Sequence, residues 1–215
     1  MILVPSYSRR LLHRGQFGGS NVSMTTTDEH NKSDNDLLAA VARADMTAFE
    51  RLYRLYERRV YQYAHTFVRD RTAAEEIVVD TMTAVWHGAA GYSGQSRAST
   101  WILGIARHKA LDAVRKGTRQ SANVRLEEAA QVADPCAGPA ESLANSQSGT
   151  QTRLAMGQLS QDHREILRLV FFEELQYDEI SELLRIPENT VKTRVYYAKQ
   201  QLKLHLERLA TRGAV

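Results

Sequence analysis

The chain has 215 residues, enough for one large domain or two small ones, and its 43% hydrophobic and 25% charged residues are ordinary for a soluble globular protein. Its net charge of +3 identifies no partner: Arg9, Arg10 and Arg14 lie in an acid-free start, and setting those three of the 28 cations aside leaves 25 against 25 acids from Met24 onward. The single cysteine, Cys136, excludes an internal disulfide framework and a cysteine-based zinc finger and fits a reducing cytoplasm, while no apolar run approaches the roughly 20 residues that span a bilayer.

Residues 1–23 carry glycines, serines and a proline without the apolar stretch of a signal peptide, and Met24-Thr25-Thr26-Thr27-Asp28-Glu29 reads as a natural polar start. A disordered extension is expected over 1–34, its first part a start-site artefact. From Asp36 to about Lys116 the pattern is helical. Phe49, Leu52, Tyr53, Tyr56, Val60, Ala64, Phe67 and Val68 recur at spacings of three and four. Thr72-Ala73-Ala74-Glu75 has the form of a capping box opening a helix through Ile77, Val78, Met82, Val85 and Trp86. Gly88, Gly91 and Gly94 interrupt it, and a further helix is expected from about Ser99 to Lys116. No two-residue alternation of strand type occurs.

Residues 118–151 change character, with Ser121, Pro135, Gly138, Pro139, Ser142, Ser146, Ser148 and Gly149, and read as a linker with a short helix near 126–132 and an inert thiol at Cys136. A second helical domain follows over 152–210. In it, Leu159 to Leu167 and Tyr177 to Leu184 form two short amphipathic helices, Arg185-Ile186-Pro187 a tight turn, and Glu188 onward a third helix: a helix-turn-helix pattern. Its charge is sorted. The acids Asp162, Glu165, Glu173, Glu174, Asp178, Glu179, Glu182 and Glu188 precede the cations Lys192, Arg194, Lys199, Lys203, Arg208 and Arg212, which face Glu207 alone. A helix with such an excess suits a major groove, where binding releases counterions from the phosphates. The fold class is thus all-α, two small helical domains on a flexible tether.

Four ordered motifs carry a family resemblance: Ala48-Phe49-Glu50-Arg51-Leu52-Tyr53, Ala74 to Thr81, Ser99-Thr100-Trp101-Ile102 with Ile105 to Asp112, and the C-terminal helix-turn-helix. Over about residues 35–208 the chain resembles the sigma-70 family of bacterial transcription initiation factors, and in it the extracytoplasmic-function (ECF) class, which keeps only the sigma2 and sigma4 domains. The resemblance implies a sigma2-like domain over 35–117 and a sigma4-like domain over 152–210. It implies partners as well: core RNA polymerase, through the β′ clamp helices and the β subunit; promoter DNA; and an anti-sigma factor. Membrane association would come only through that last partner, holding an otherwise cytoplasmic chain at the inner membrane. No cofactor, metal or catalytic residue is implied.

Carried over residue by residue, the resemblance gives Glu75, Glu76 and Asp80 to core-polymerase binding. An acidic stripe beside apolar surface suits a protein interface, although Glu75 and Glu76 also suit the N-terminal end of any helix. For the −10 element it gives Tyr92, Arg97, Trp101, Arg107, His108, Lys109, Asp112, Arg115 and Lys116. Unstacked bases need a pocket, stacking partners and a basic track, and each stacked base contributes roughly 1–3 kcal/mol. Trp101 divides between core and stacking, with core favoured, and Asp112 is placed to orient its neighbouring cations. For the −35 duplex it gives Glu188, Asn189, Thr190, Lys192, Thr193, Arg194, Tyr196, Tyr197 and Lys199, with Val191, Val195, Ala198 and Leu202 packing inward. Arg97 and Ala98 stand where many relatives carry aromatic or apolar residues, Asn189 where a glycine is frequent and Tyr197 where an arginine is frequent, so the promoter sequence does not carry over.

Two other classes fit the residues less well. A stand-alone helix-turn-helix regulator leaves the basic stretch 91–116 unexplained. A metalloenzyme bundle drawing on Glu75, Glu76, Asp80, His65, His87 or His108 lacks the inward Glu-x-x-His pairs such bundles use.

Overall fold

The computed structural model describes residues 24–123 and 147–212, and every regular element among them is helical. Of the disordered extension expected over 1–34, residues 24–34 are instead helical; 1–23 with the expected artefact, the short helix near 126–132 and Cys136 lie outside the described residues.

The first unit has four α-helices: α1 (Met24–Val41), α2 (Met46–Ala64), α3 (Arg71–Gly88) and α4 (Ala98–Asn123), with a 3-10 turn at Ala89–Gly91. Helix α1 begins well ahead of the Asp36 expected from periodicity, and α4 runs past Lys116 into the expected linker. Asp45 starts α2, its carboxylate accepting from the Thr47 and Ala48 amides at 2.9 and 3.0 Å. Helix α3 corrects the sequence reading. Asp70, not Thr72, is the N-cap, accepting from the Ala73 amide at 2.7 Å, and Glu75 turns instead to Arg71 at 2.8 Å. Aspartate ranks among the strongest N-caps, so the earlier residue sets the boundary.

The second unit holds α5 (Gln147–Gly157), α6 (Gln161–Phe171), α7 (Tyr177–Leu184) and α8 (Glu188–Arg212). Ser160 caps α6 by accepting from the His163 amide, and the Gln176 amide donates to Glu179 at 2.9 Å at the start of α7. The turn into α8 is held three ways. Arg185 adopts a left-handed conformation (φ 57°), the Ser181 hydroxyl donates to the Ile186 carbonyl at 2.7 Å, and the Pro187 carbonyl accepts the first bonds of α8. A non-glycine residue in that region is uncommon, and here it closes α7 in the manner of a helix C-cap.

Leu38, Leu52, Tyr56, Val60, Tyr63, Met82, Ile102 and Leu103 are fully buried in the first unit, as are Ile166, Leu167, Leu169, Ile180 and Val191 in the second. These residues belong to one continuous cluster, because the two units pack on each other. Gly104 of α4 faces the Leu183 side chain of α7.

Candidate nucleic-acid interface

In α8, Val191, Val195 and Ala198 are buried and Leu202 is partly buried against the core, the inward face expected from spacing. The opposite face is open. Tyr196 and Tyr197 are 59% and 56% exposed, their rings edge to face at 5.5 Å, which presents two adjacent aromatic surfaces to solvent. Lys192 lies 2.8 Å from Glu188 one turn back, and Arg194 lies 3.2 Å from Asp162 of α6. Both acids are largely exposed, so these pairs cost little to exchange for phosphate. Lys199 rests over the Phe171 ring at 5.0 Å. The Thr193 hydroxyl donates to the Asn189 carbonyl at 2.8 Å; Asn189 is exposed and Thr190 half-buried at the helix start.

The −10 candidates divide into two sets. Tyr92 is half-buried, donates to Asn35 at 2.8 Å and to the Ser96 carbonyl, and sits 5.2 Å from the Trp101 ring. Burial, then the Asp34 carboxylate, pushes its phenol up. Trp101 packs partly buried on the core, beside Gly88. His108, Arg115 and Lys116 are exposed, and Asp112 lies 3.3 Å from His108 and 3.2 Å from Arg115. Lys109 reaches toward Asp80 at 4.0 Å.

Arg97 and Arg107 face the second unit instead. Arg97 pairs with Glu179 at 3.3 Å, and Thr100 donates to the same oxygen at 3.1 Å. Arg107 pairs at 2.8 Å with Glu165, which is buried and also accepts from the Tyr63 hydroxyl at 2.7 Å. Burial alone pulls the Arg107 guanidinium down, but the Glu165 carboxylate outweighs it and holds the group above its ordinary value. Burial and then Glu165 push the Tyr63 phenol far up. Glu173, also buried, bridges Arg59 at 2.9 Å and Arg168 at 3.2 Å, and Arg168 donates to Gln62 at 2.8 Å. Burial draws Arg168 down despite Glu173.

Sequence reasoning counted Glu165, Glu173 and Glu179 only as the acidic half of a sorted charge pattern and did not single out Arg59. Their pairing joins residues as far as 114 positions apart, which no local spacing reveals.

On α3, Glu75, Glu76 and Asp80 are exposed, while Ile77 and Val78 are buried and Trp86 packs edge to face on Phe49 at 5.1 Å. Val79 is 57% exposed among the three acids. It supplies the apolar part of that face, and its place one turn after Glu75 was the available signal.

The family models for Sigma-70 region 2 and Sigma-70 region 4 match residues 52–120 and 150–202. The chain is 32% identical over 160 residues to the ECF RNA polymerase sigma factor SigK of Mycobacterium sp. (strain KMS), covering 74% of this chain and 83% of that protein. It is 28% identical to SigX of Bacillus subtilis (75% and 84% covered) and 27% identical to SigL of Mycobacterium tuberculosis H37Rv (80% and 96% covered). In fold it matches CnrH, solved with the cytosolic domain of CnrY, at a TM-score of 0.58 and 21% identity, covering 82% of this chain and 98% of that one. It also matches RpoE of Bartonella quintana, solved with the anti-sigma factor NepR, at 0.57 and 22%, covering 74% and 96%. With both family regions matched in order and a relative above 30% identity across most of its length, the chain belongs to the ECF class of sigma-70-family RNA polymerase sigma factors.

Proposed function

We propose that this chain binds core RNA polymerase and directs it to promoters, with a −35 duplex read by α8 and a −10 single strand held by the 91–99 loop and α4, and that it performs no catalysis of its own. The observation that carries this reading is the split of α8 into a buried apolar face and an open face bearing Lys192, Arg194, Tyr196, Tyr197 and Lys199. The first three turns of a helix are the part a major groove admits, and they are where these side chains lie. The base-reading and phosphate-contacting set is Glu188, Asn189, Thr190, Lys192, Thr193, Arg194, Tyr196, Tyr197 and Lys199. The strand-holding set is Tyr92, Arg97, Trp101, Arg107, His108, Lys109, Arg115 and Lys116, with Asp112 orienting His108 and Arg115.

Glu75, Glu76 and Asp80, with Val79 between them, form the face for the β′ clamp helices, and the second unit meets the β subunit. Opposite charge across that contact steers encounter and fixes register. The chain is controlled by an anti-sigma factor; CnrH and RpoE, its fold neighbours, were each solved with a protein partner, NepR being an anti-sigma factor. Among the described residues no helix is long and apolar enough to cross a membrane, so a membrane location would depend on such a partner.

Run-off transcription with core polymerase and genomic fragments tests the reading. Discrete transcripts that require the chain are expected. Failure of the chain to bind core polymerase would overturn it in favour of a stand-alone regulator.

A further inference from the structure

A cavity of about 480 Å³ opens between α1 and the loop that follows α3. Asn35, Ala39 and Arg43 line it from α1, and Ala89, Tyr92 and Ser93 from the other side. The three α1 residues follow at four-residue intervals, so one face of the helix carries an amide, a methyl-sized gap and a guanidinium. No described residue of α4 lines the cavity. Tyr92 stands between the two: it borders the cavity, and its ring packs 5.2 Å from the Trp101 ring of α4.

The polar groups here are largely unspent. The Tyr92 hydroxyl donates to Asn35 Oδ1 at 2.8 Å, which leaves the two amide hydrogens of Asn35 without a partner among the described residues. Arg43 is exposed and pairs with no carboxylate among the described residues. A concavity of this size, with small apolar walls, a free amide and a free cation at its edge, suits a flat heterocycle joined to a phosphate. Single-strand binding uses the same three parts: an aromatic surface, donors for an exposed base edge, and a cation on the backbone.

We infer that this cavity takes one further unstacked base of the opened strand, on the α1 side of Tyr92, with Asn35 reading its edge and Arg43 holding the adjoining phosphate. The inference rests on the reading of the 91–99 loop as a strand-holding element. Tyr92 then divides the α4 track from the added base. Neither Asn35 nor Arg43 belongs to the sets assigned above to polymerase, the −10 strand or the −35 duplex. A base seated there adds one position to the sequence the chain discriminates.

The test uses the full chain assembled with core polymerase and a labelled non-template strand from a promoter found by run-off transcription. A single abasic residue is walked through the −10 region and the bases after it, and affinity is read by anisotropy. Wild type is compared with Asn35→Ala, Arg43→Gln and Ala39→Leu, the last of which fills the cavity and leaves its hydrogen bonds in place. Circular dichroism checks that each variant keeps its helicity. In wild type, the abasic residue at the seated position is expected to cost about tenfold. That penalty should vanish in Ala39→Leu and Asn35→Ala at this one position and persist at every other. Arg43→Gln should weaken all strands alike and lower the slope of log affinity against log salt by about 0.7. A profile unchanged in Ala39→Leu and Asn35→Ala, or flattened at every position alike, overturns the site while the strand-holding loop stands. Failure of the wild-type complex to bind any strand refutes the initiation-factor reading, and the site falls with it.

Discussion

Two cationic helices run through this molecule, and they are cationic in different ways. On α8, Lys192 and Arg194 lean on acids that are about half exposed or more, and two tyrosines stand open beside them. On α4, Arg107 ends on a carboxylate that is 4% exposed, and Arg97, the residue just before the helix, on one that is 15% exposed. The same residue type is thus ready for phosphate in one helix and already committed in the other. Charge counting treats both as basic tracks; only the depth of the partner separates them, because a surface pair is worth about 0–1 kcal/mol and a buried one cannot be broken cheaply.

The largest expected effect tests that depth directly. Glu173→Gln removes the charge shared by Arg59 and Arg168, and thermal unfolding should show a loss of ~3–5 kcal/mol. A loss below ~1 kcal/mol would place Glu173 with the surface acids. Next, Arg107→Ala leaves Glu165 buried with only Tyr63 as donor and should cost ~2–5 kcal/mol, against less than ~1 kcal/mol for Arg194→Ala, whose partner Asp162 is 62% exposed. Equal costs would erase the contrast between the two helices.

Lys192→Ala with Arg194→Ala sharpens it from the other side. Binding to a −35 duplex should weaken with the slope of log affinity against log salt reduced by up to ~2, at about 0.9 per phosphate contact, while assembly with core polymerase is unchanged. An equal drop in polymerase assembly would mean the residues are misassigned.

The smallest effect concerns a helix boundary. Asp70→Ala should destabilise by ~1 kcal/mol, and Thr72→Ala by only a few tenths, measured by chemical denaturation.

That last pair also marks what the sequence made legible. Four-residue spacing identified the buried faces of α2, α3 and α8, and the Arg185-Ile186-Pro187 turn, because those are local patterns that helix geometry dictates. The cap of α3 is ambiguous in sequence since two competing N-caps, Asp70 and Thr72, stand within three residues, and the choice depends on whether the aspartate carboxylate or the threonine hydroxyl accepts from the helix amides. The start of α1 lacks an apolar repeat before Leu37, so periodicity had nothing to register there. The clasp of Glu165, Glu173 and Glu179 on Arg107, Arg59 and Arg97 was hidden for a different reason. It is a contact between distant segments, and an acid read in its own helix looks like an acid facing water.

The central claim is that α8 reads duplex DNA while α4 and the loop before it hold the opened strand. Permanganate footprinting of a promoter found by run-off transcription, with core polymerase plus the chain, tests it most directly. The account predicts reactive thymines over the −10 region with wild-type protein. That reactivity should disappear in Arg97→Ala with Arg107→Ala even when the −35 duplex remains protected. Undiminished −10 reactivity in that variant would contradict it.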